Sequence, residues 1–323
     1  MSLIVNASTI NGENIILDKC LSFNFKKDRY HPSAVLNARF HLRRGDLSTA
    51  DFTSITATLG DRVILEGYLE RGILTMTGAG YICTIKAKAK TALLEQNHIM
   101  PGTYYNMTLN KLNSDYINLS GINFQPSTKS LNYIVIKDSA SMWEAASHIC
   151  VRNWDCLPYA TYDNEIRYGL PANNLKTTID ERKVISASVK SDNSTSISSI
   201  YMKDTNGNYG AFSSHNNIPL QKGIVRIKHI NTDLTWLANI TQGLKSKLDF
   251  SMRYSKSQEI SYHGFNGEDI YEPVNMNDAM FPNGLISFDN GQFRPHAIRI
   301  KGGSKGIVTT LTIYDDYYSR RNT

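Results

Sequence analysis

Apolar and polar positions alternate along much of this chain, most clearly in Tyr81–Lys90. Tyr81, Cys83, Ile85, Ala87 and Ala89 share one parity, and Ile82, Thr84, Lys86, Lys88 and Lys90 share the other. A period of two gives a strand one dry face and one wet face. Successive lysines on the wet face also discourage edge-to-edge pairing. Around this strand, Phe52–Asn97 reads as short apolar runs divided by Gly-containing turns, the pattern of an antiparallel meander. Upstream, Leu3–Val5 and Ile15–Leu17 predict a hairpin about Asn11-Gly12. Cys20–Phe25 alternates again, and Lys26–Pro32 reads as a polar loop. In Ala34–Leu42, Val35, Asn37, Arg39 and His41 oppose Leu36, Ala38, Phe40 and Leu42, and Arg43-Arg44-Gly45-Asp46 follows as a turn. Residues 1–90 thus carry about seven short strands, which suggests a small barrel or sandwich.

The pattern changes after Lys90. Thr91–Asn97 reads as a helical turn with Leu93 and Leu94 inward, and Pro101-Gly102 breaks the chain. Leu109, Leu112 and Tyr116 give Thr108–Tyr116 helical spacing, and Tyr133–Ile136 reads as a strand. The strongest helix is Ser141–Trp154. Ser141 and Glu144 have capping-box spacing, while Trp143, Ala146, Cys150 and Trp154 share one face. Tyr159–Tyr162 and Glu165–Tyr168 form a hairpin across Asp163-Asn164. After a polar connector at 173–183, strands resume at Val184–Lys190, Ile197–Lys203 and Ile224–Ile230. A second helix, Thr232–Lys247, aligns Leu234, Leu237, Thr241, Leu244 and Leu248. Strands at Phe250–Tyr254 and Glu259–Tyr262 lead into a long loop containing Pro273 and Pro282. The closing hairpin joins Ala297–Lys301 to Gly306–Tyr314 across Gly302-Gly303, and Tyr317–Thr323 reads as a frayed end. The order is β-rich, α+β, β-rich, so the fold class is mainly β with minor α.

Composition narrows the function. Of 323 residues, 41% are hydrophobic and 20% charged, ordinary values for a soluble globular protein. The net charge of +6 is modest, and the basic residues are dispersed, with short clusters only at Lys26-Lys27, Arg43-Arg44 and Arg320-Arg321. That distribution argues against nucleic-acid binding as the main role. The N-terminus lacks a secretory signal, and no apolar run approaches the roughly 20 residues that span a bilayer. Synthesis in a cytoplasm without membrane insertion is expected. Cys20, Cys83, Cys150 and Cys156 form no CxxC pair and read as buried thiols of a reducing compartment, and His31 and His41 lack ligand spacing. The sequons at Asn6, Asn106, Asn118, Asn193 and Asn239 carry no weight without secretion.

Catalytic patterns are missing. The sequence holds no Walker A, GxSxG or HExxH motif. Gly78-Ala79-Gly80 precedes a strand rather than a helix, and Gly302–Gly306 sits between strands as a hairpin turn. The acid pairs Glu268-Asp269 and Asp315-Asp316 read as solvated loop residues, and Trp143, Trp154 and Trp236 as core. No catalytic residue, cofactor or metal ligand is assigned, and a structural or interaction protein is expected.

Three segments carry a resemblance. They are DRVILEGYLERGILTMTGAGYICTIKAKAKTALLEQN (Asp61–Asn97), SASMWEAASHICVRNWDCLPYATYDNEIRYGL (Ser139–Leu170) and FRPHAIRIKGGSKGIVTTLTIYD (Phe293–Asp315). Together they resemble the baseplate hub proteins of contractile-tailed phages, R-type bacteriocins (tailocins) and PBSX-like prophage particles. One departure is Ala87-Lys88-Ala89-Lys90, where that family has Gly-Arg before Thr-Ala-Leu-Leu. The resemblance implies two similar β-barrel domains with a small α+β insertion. The boundaries expected are a first barrel at 1–95, an α+β domain at 96–172, and a second barrel at 173–323 with an inserted helix near 232–248. It also implies a homotrimer joining a six-fold tail tube protein to a three-fold central spike protein. Tape-measure and baseplate wedge proteins are further partners, and DNA enters only as a candidate channel passenger. Assembly into a virion tail or an extracellular tail-like particle follows. Two alternatives stand beside it: the N-terminal hub-like part of a siphophage tail-associated protein, which the end at Thr323 disfavours, and a β-rich cell-wall hydrolase, which the weak acid pairs disfavour.

Overall fold

A computed structural model describes residues 2–42, 47–170, 177–231, 240–276 and 292–314. The alternation read from the sequence becomes seven antiparallel strands: β1 (Leu3–Thr9), β2 (Asn14–Leu17), β3 (Cys20–Asp28), β4 (Val35–Leu42), β5 (Phe52–Leu59), β6 (Arg62–Thr77) and β7 (Gly80–Ala89). Their spatial order is β3-β4-β7-β6-β5-β1-β2. Leu3, Val5, Phe25, Leu36, Phe40, Ile55, Cys83 and Ala87 line the inner face and are fully buried. The β3–β4 pairing runs past the start of β3, where His41 N–H donates to Lys19 O at 2.9 Å. Gly12 closes the first hairpin at φ 80°, a left-handed conformation that glycine adopts without a Cβ penalty.

A compact α+β unit follows: α1 (Leu93–Gln96), β8 (Gly102–Thr108), α2 (Leu109–Leu112), β9 (Asn123–Phe124), β10 (Ser130–Ile136), α3 (Met142–Trp154), β11 (Tyr159–Ala160) and β12 (Glu165–Arg167). The capping box on α3 is complete. Ser141 Oγ accepts from Glu144 N at 3.1 Å, and Ser141 N donates to Glu144 Oε2 at 2.9 Å. Trp143, Ala146, Ile149 and Cys150 bury the inner face of α3. After α2, one π turn spans Asn113–Ile117. Strand β8 has no clear sequence signature because four of its seven residues are exposed and only Met107 is buried, leaving no dry parity to read.

The last part contributes β13 (Thr177–Thr178), β14 (Val184–Lys190), β15 (Ser199–Met202), β16 (Phe212–His215), α4 (Asn217–Gln221), β17 (Ile227–Ile230), α5 (Ile240–Ser251 as described), β18 (Ser257–His263), β19 (Val274–Asn275), β20 (Gln292–Phe293), β21 (Ala297–Gly303) and β22 (Gly306–Tyr314). Strands β14-β18-β22-β21 continue the first layer by pairing β21 with β3, which makes eleven strands in one antiparallel sheet. Strands β16-β15-β17 form a small satellite sheet, whose Ile200 and Met202 pack with Leu244 and Leu248 of α5. The mainly β class with minor α is the observed one.

Several local readings change. Lys26–Asp28 belongs to β3 rather than a loop, because β21 pairs with it up to Asp28. The helix carries Phe250 inside it, because Leu244 and Leu248 keep its face buried to that point, so no strand starts there. The closing turn falls on Ser304-Lys305, while Gly302 and Gly303 remain in the strand. Gly302 is required there by packing: a Cβ would lie 2.0 Å from Phe23 Cε1. The Arg43–Asp46 turn, the first two turns expected for the second helix with Trp236, the Asp315-Asp316 pair and the C-terminal tail lie outside the described residues.

Candidate functional site

Two kinds of feature stand out: a buried polar junction between the three parts of the chain, and the edge strands of the sheet. The junction begins on β3. Phe23 and Phe25 occupy its inward parity, and Lys27 and Arg29 continue that parity into the interior, 4% and 1% exposed. Lys27 Nζ lies 2.5 Å from Asp269 Oδ1 and 4.1 Å from the centre of the Tyr162 ring. Asp269 also accepts from Tyr162 N–H on Oδ2 at 3.0 Å and from Ile270 N–H on Oδ1 at 2.7 Å. Tyr162 OH donates to Glu268 O at 2.8 Å. Glu268 accepts the Tyr262 hydroxyl and, at 3.2 Å, Asn266 N–H. Glu272 accepts Asp269 N–H at 3.0 Å and Arg62 Nη2 at 3.2 Å. Arg29 spreads its guanidinium over Tyr271 and Tyr30, at 4.5 and 4.9 Å.

Burial sets the electrostatics here. Desolvation lowers the pKa of Lys27 against the pull of Asp269, and raises those of Glu268 and Glu272. Desolvation, reinforced by Arg29 nearby, holds His296 well below the usual imidazole range. The expectation that Glu268-Asp269 is solvated is overturned. Glu268 is fully buried and Asp269 is 3% exposed, because β3 and the hairpin of the α+β unit close over both. Their oxygens are engaged by internal donors, the arrangement of a structural lock. Sequence reading missed Lys27 and Arg29, although the parity of Phe23 and Phe25 was the available signal.

Beside this lock, Tyr30 meets Phe250 and Tyr314 at ring-centre distances of 5.4 and 5.9 Å, and Tyr314 OH donates to Asp28 Oδ2 at 2.8 Å. Tyr159 and Tyr162 of the α+β unit thus enter the core that the two β-rich parts share, while the rest of that unit packs around a core of its own.

The lysine stripe of β7 is paired with a neighbouring strand. A bulge in β6 between Leu69 and Arg71 carries Glu70, whose two oxygens lie 2.5 Å from Lys88 Nζ and 2.6 Å from Lys86 Nζ. Those two hydrogen bonds lower the pKa of Glu70.

Among the described residues, the sheet ends at two edge strands that pair on one side only, β2 and β14. Each displays an outward isoleucine, Ile16 at 63% exposure and Ile185 at 50%. The long β6 supplies a third edge, since β5 pairs with it only as far as Gly67. Ile73 and Met76 stand exposed on that overhang. Exposed edges with apolar side chains are sites where another chain can add. Among the described residues, no three His, Cys, Asp or Glu side chains converge as metal ligands, and no helix is long and apolar enough to cross a membrane.

No protein-family model matches the sequence, and no curated protein does. Solved structures do share the fold. The tail protein from Neisseria meningitidis superposes with a TM-score of 0.71 at 13% identity, covering 100% of this chain and 99% of that one. The tail protein of prophage MuSo2 from Shewanella oneidensis gives 0.67 at 13% identity, covering 97% of each chain. The E. coli c3393 protein, a component of the type VI secretion system with structural similarity to T4 tail proteins gp27 and gp5, gives 0.56 at 8% identity over 93% of this chain and 74% of that one.

Proposed function

We propose that this chain is a structural protein of a phage tail or tail-like particle, acting as the trimeric baseplate hub. The observation that carries this reading is a fold shared with a tail protein along the whole of both chains. We further propose the division into a first barrel at 1–95, an α+β domain at 96–172 and a second barrel within 173–323, joined edge to edge through β3 and β21. Three chains with two barrels each then offer six similar barrels in a ring. Such a ring faces a six-fold tube on one side and a three-fold spike on the other. The work is done by interfaces, and no catalytic residue is assigned. The edges at β2, β14 and the β6 overhang are the surfaces that neighbouring subunits and the tube and spike proteins would cover.

Mass in solution tests this. A trimer is expected, alone or on addition of the cognate spike or tube protein. A species that stays monomeric with both partners present overturns the hub reading. Introducing Asp at Ile16 and Ile185 is expected to leave the monomer folded and abolish the trimer, read by light scattering beside circular dichroism. A peptidoglycan zymogram that shows lysis, lost on changing one carboxylate, would favour a hydrolase instead.

A further inference from the structure

We propose that Lys27 and Asp269 condense into an intramolecular isopeptide bond, tying β3 covalently to the loop that follows β18. The pair has the arrangement this chemistry needs. The amine nitrogen sits 2.5 Å from a carboxyl oxygen, and the two side chains are 3% and 5% exposed. Contact at that distance in a fixed frame replaces a bimolecular encounter. The surroundings are dry and aromatic, with Tyr162 directly over Nζ and the buried rings of Phe25 and Phe265 in the same core. In a low-dielectric site the neutral amine gains on its ammonium, because the charged form loses its hydration. Lys27 follows that direction, its ammonium weakened by burial.

The reaction balances with no further reagent. Transfer of one proton from the Lys27 ammonium to Asp269 gives a free amine and a carboxylic acid. The Nζ lone pair attacks Cγ, forming the Nζ–Cγ bond. Oxygen Oδ2, held by Tyr162 N–H at 3.0 Å, carries the developing negative charge as an oxyanion does. The bond from Cγ to Oδ1 then breaks. The hydroxyl leaves as water after taking the second proton released by the nitrogen. That proton passes directly from Nζ to Oδ1, which are already in contact. Nothing is oxidised or reduced.

The test is the intact mass of the full-length protein, purified folded and then denatured, followed by tryptic peptide mapping. The expected mass is lower than the sequence mass by one water. A branched peptide joining the segments around Lys27 and Asp269 is expected, with no cleavage after Lys27. Lys27→Arg and Asp269→Ala should both restore the full mass. If either partner variant fails to fold, the wild-type mass and peptide map still decide. The full sequence mass in wild-type protein held folded for days overturns the proposal. So does a lost water that maps to any other residue.

Discussion

Lys27 and Arg29 show how one residue's parity outweighs its charge. Both sit in a stretch whose composition, Lys-Lys-Asp-Arg, reads as a solvated loop. The backbone nevertheless continues the alternation of Phe23 and Phe25, and the interior supplies Asp269 and aromatic faces to receive the cations. Gly67 is a second residue with a strict demand. A Cβ there would lie 1.7 Å from Lys88 O, a backbone atom that moves only if the β6–β7 pairing moves. Gly67→Ala is therefore expected to destabilise the fold by at least the roughly 1–3 kcal/mol typical of overpacking, measured by urea unfolding. His31 gives a pH signature. Its hydrogen bond from Nδ1 to Glu95 Oε1, 2.9 Å long, raises the imidazole pKa against the opposing effect of partial burial. A raised folded-state pKa contributes stability at pH values below the unfolded value of about 6.5, and that stability is lost as pH rises through the folded value. The pair is partly exposed, so the effect should stay under about 1 kcal/mol. Wild type should exceed His31→Gln in thermal stability near pH 6, by about that much, and the difference should vanish above the raised pKa.

Among elements, α3 was legible down to its cap because a helix announces itself locally. Ser141, Glu144 and the Trp143–Ala146–Cys150 face all lie within one short stretch. Ser141→Ala removes the acceptor for Glu144 N–H and is expected to cost about 1 kcal/mol, seen as a lower urea midpoint with an unchanged slope. Strands with one dry face, such as β4 and β7, were equally plain. Strands β8 and β16 were not, because their side chains are mostly exposed or only partly buried. The short strands β19 and β20 owe their existence to each other and to β13, partners far away in the chain. The position of Gly302 in β21 was illegible for the same reason: the ring that forbids a side chain there belongs to Phe23. The acids of the lock were misread because their partners are distant. Lys27 and Asp269 lie 242 residues apart, and no local pattern brings them together.

At the scale of the molecule, the pairing of β21 with β3 matters most. It joins the first and last parts of the sequence, so the β-rich ends have one continuous sheet and one main core. Residues 1–97 expressed alone would expose the β3 edge and uncover Phe25, which packs in that core with Ile298 and Ile300. That fragment is expected to be insoluble or molten, with poor dispersion in its proton NMR spectrum. A well-dispersed spectrum would show that the first strands fold independently.

The β3–β21 seam has a mechanical consequence. Its seven residue pairs, from Asp28–Ala297 to Ser22–Gly303, lie side by side along two antiparallel strands. A load drawn along those strands shears the backbone hydrogen bonds together, whereas a load across them would peel the bonds one at a time. With Lys27 anchored at one end and Gly302 interlocked with Phe23 at the other, the seam is braced against sliding in either direction. The toughest axis of the sheet therefore runs along β3.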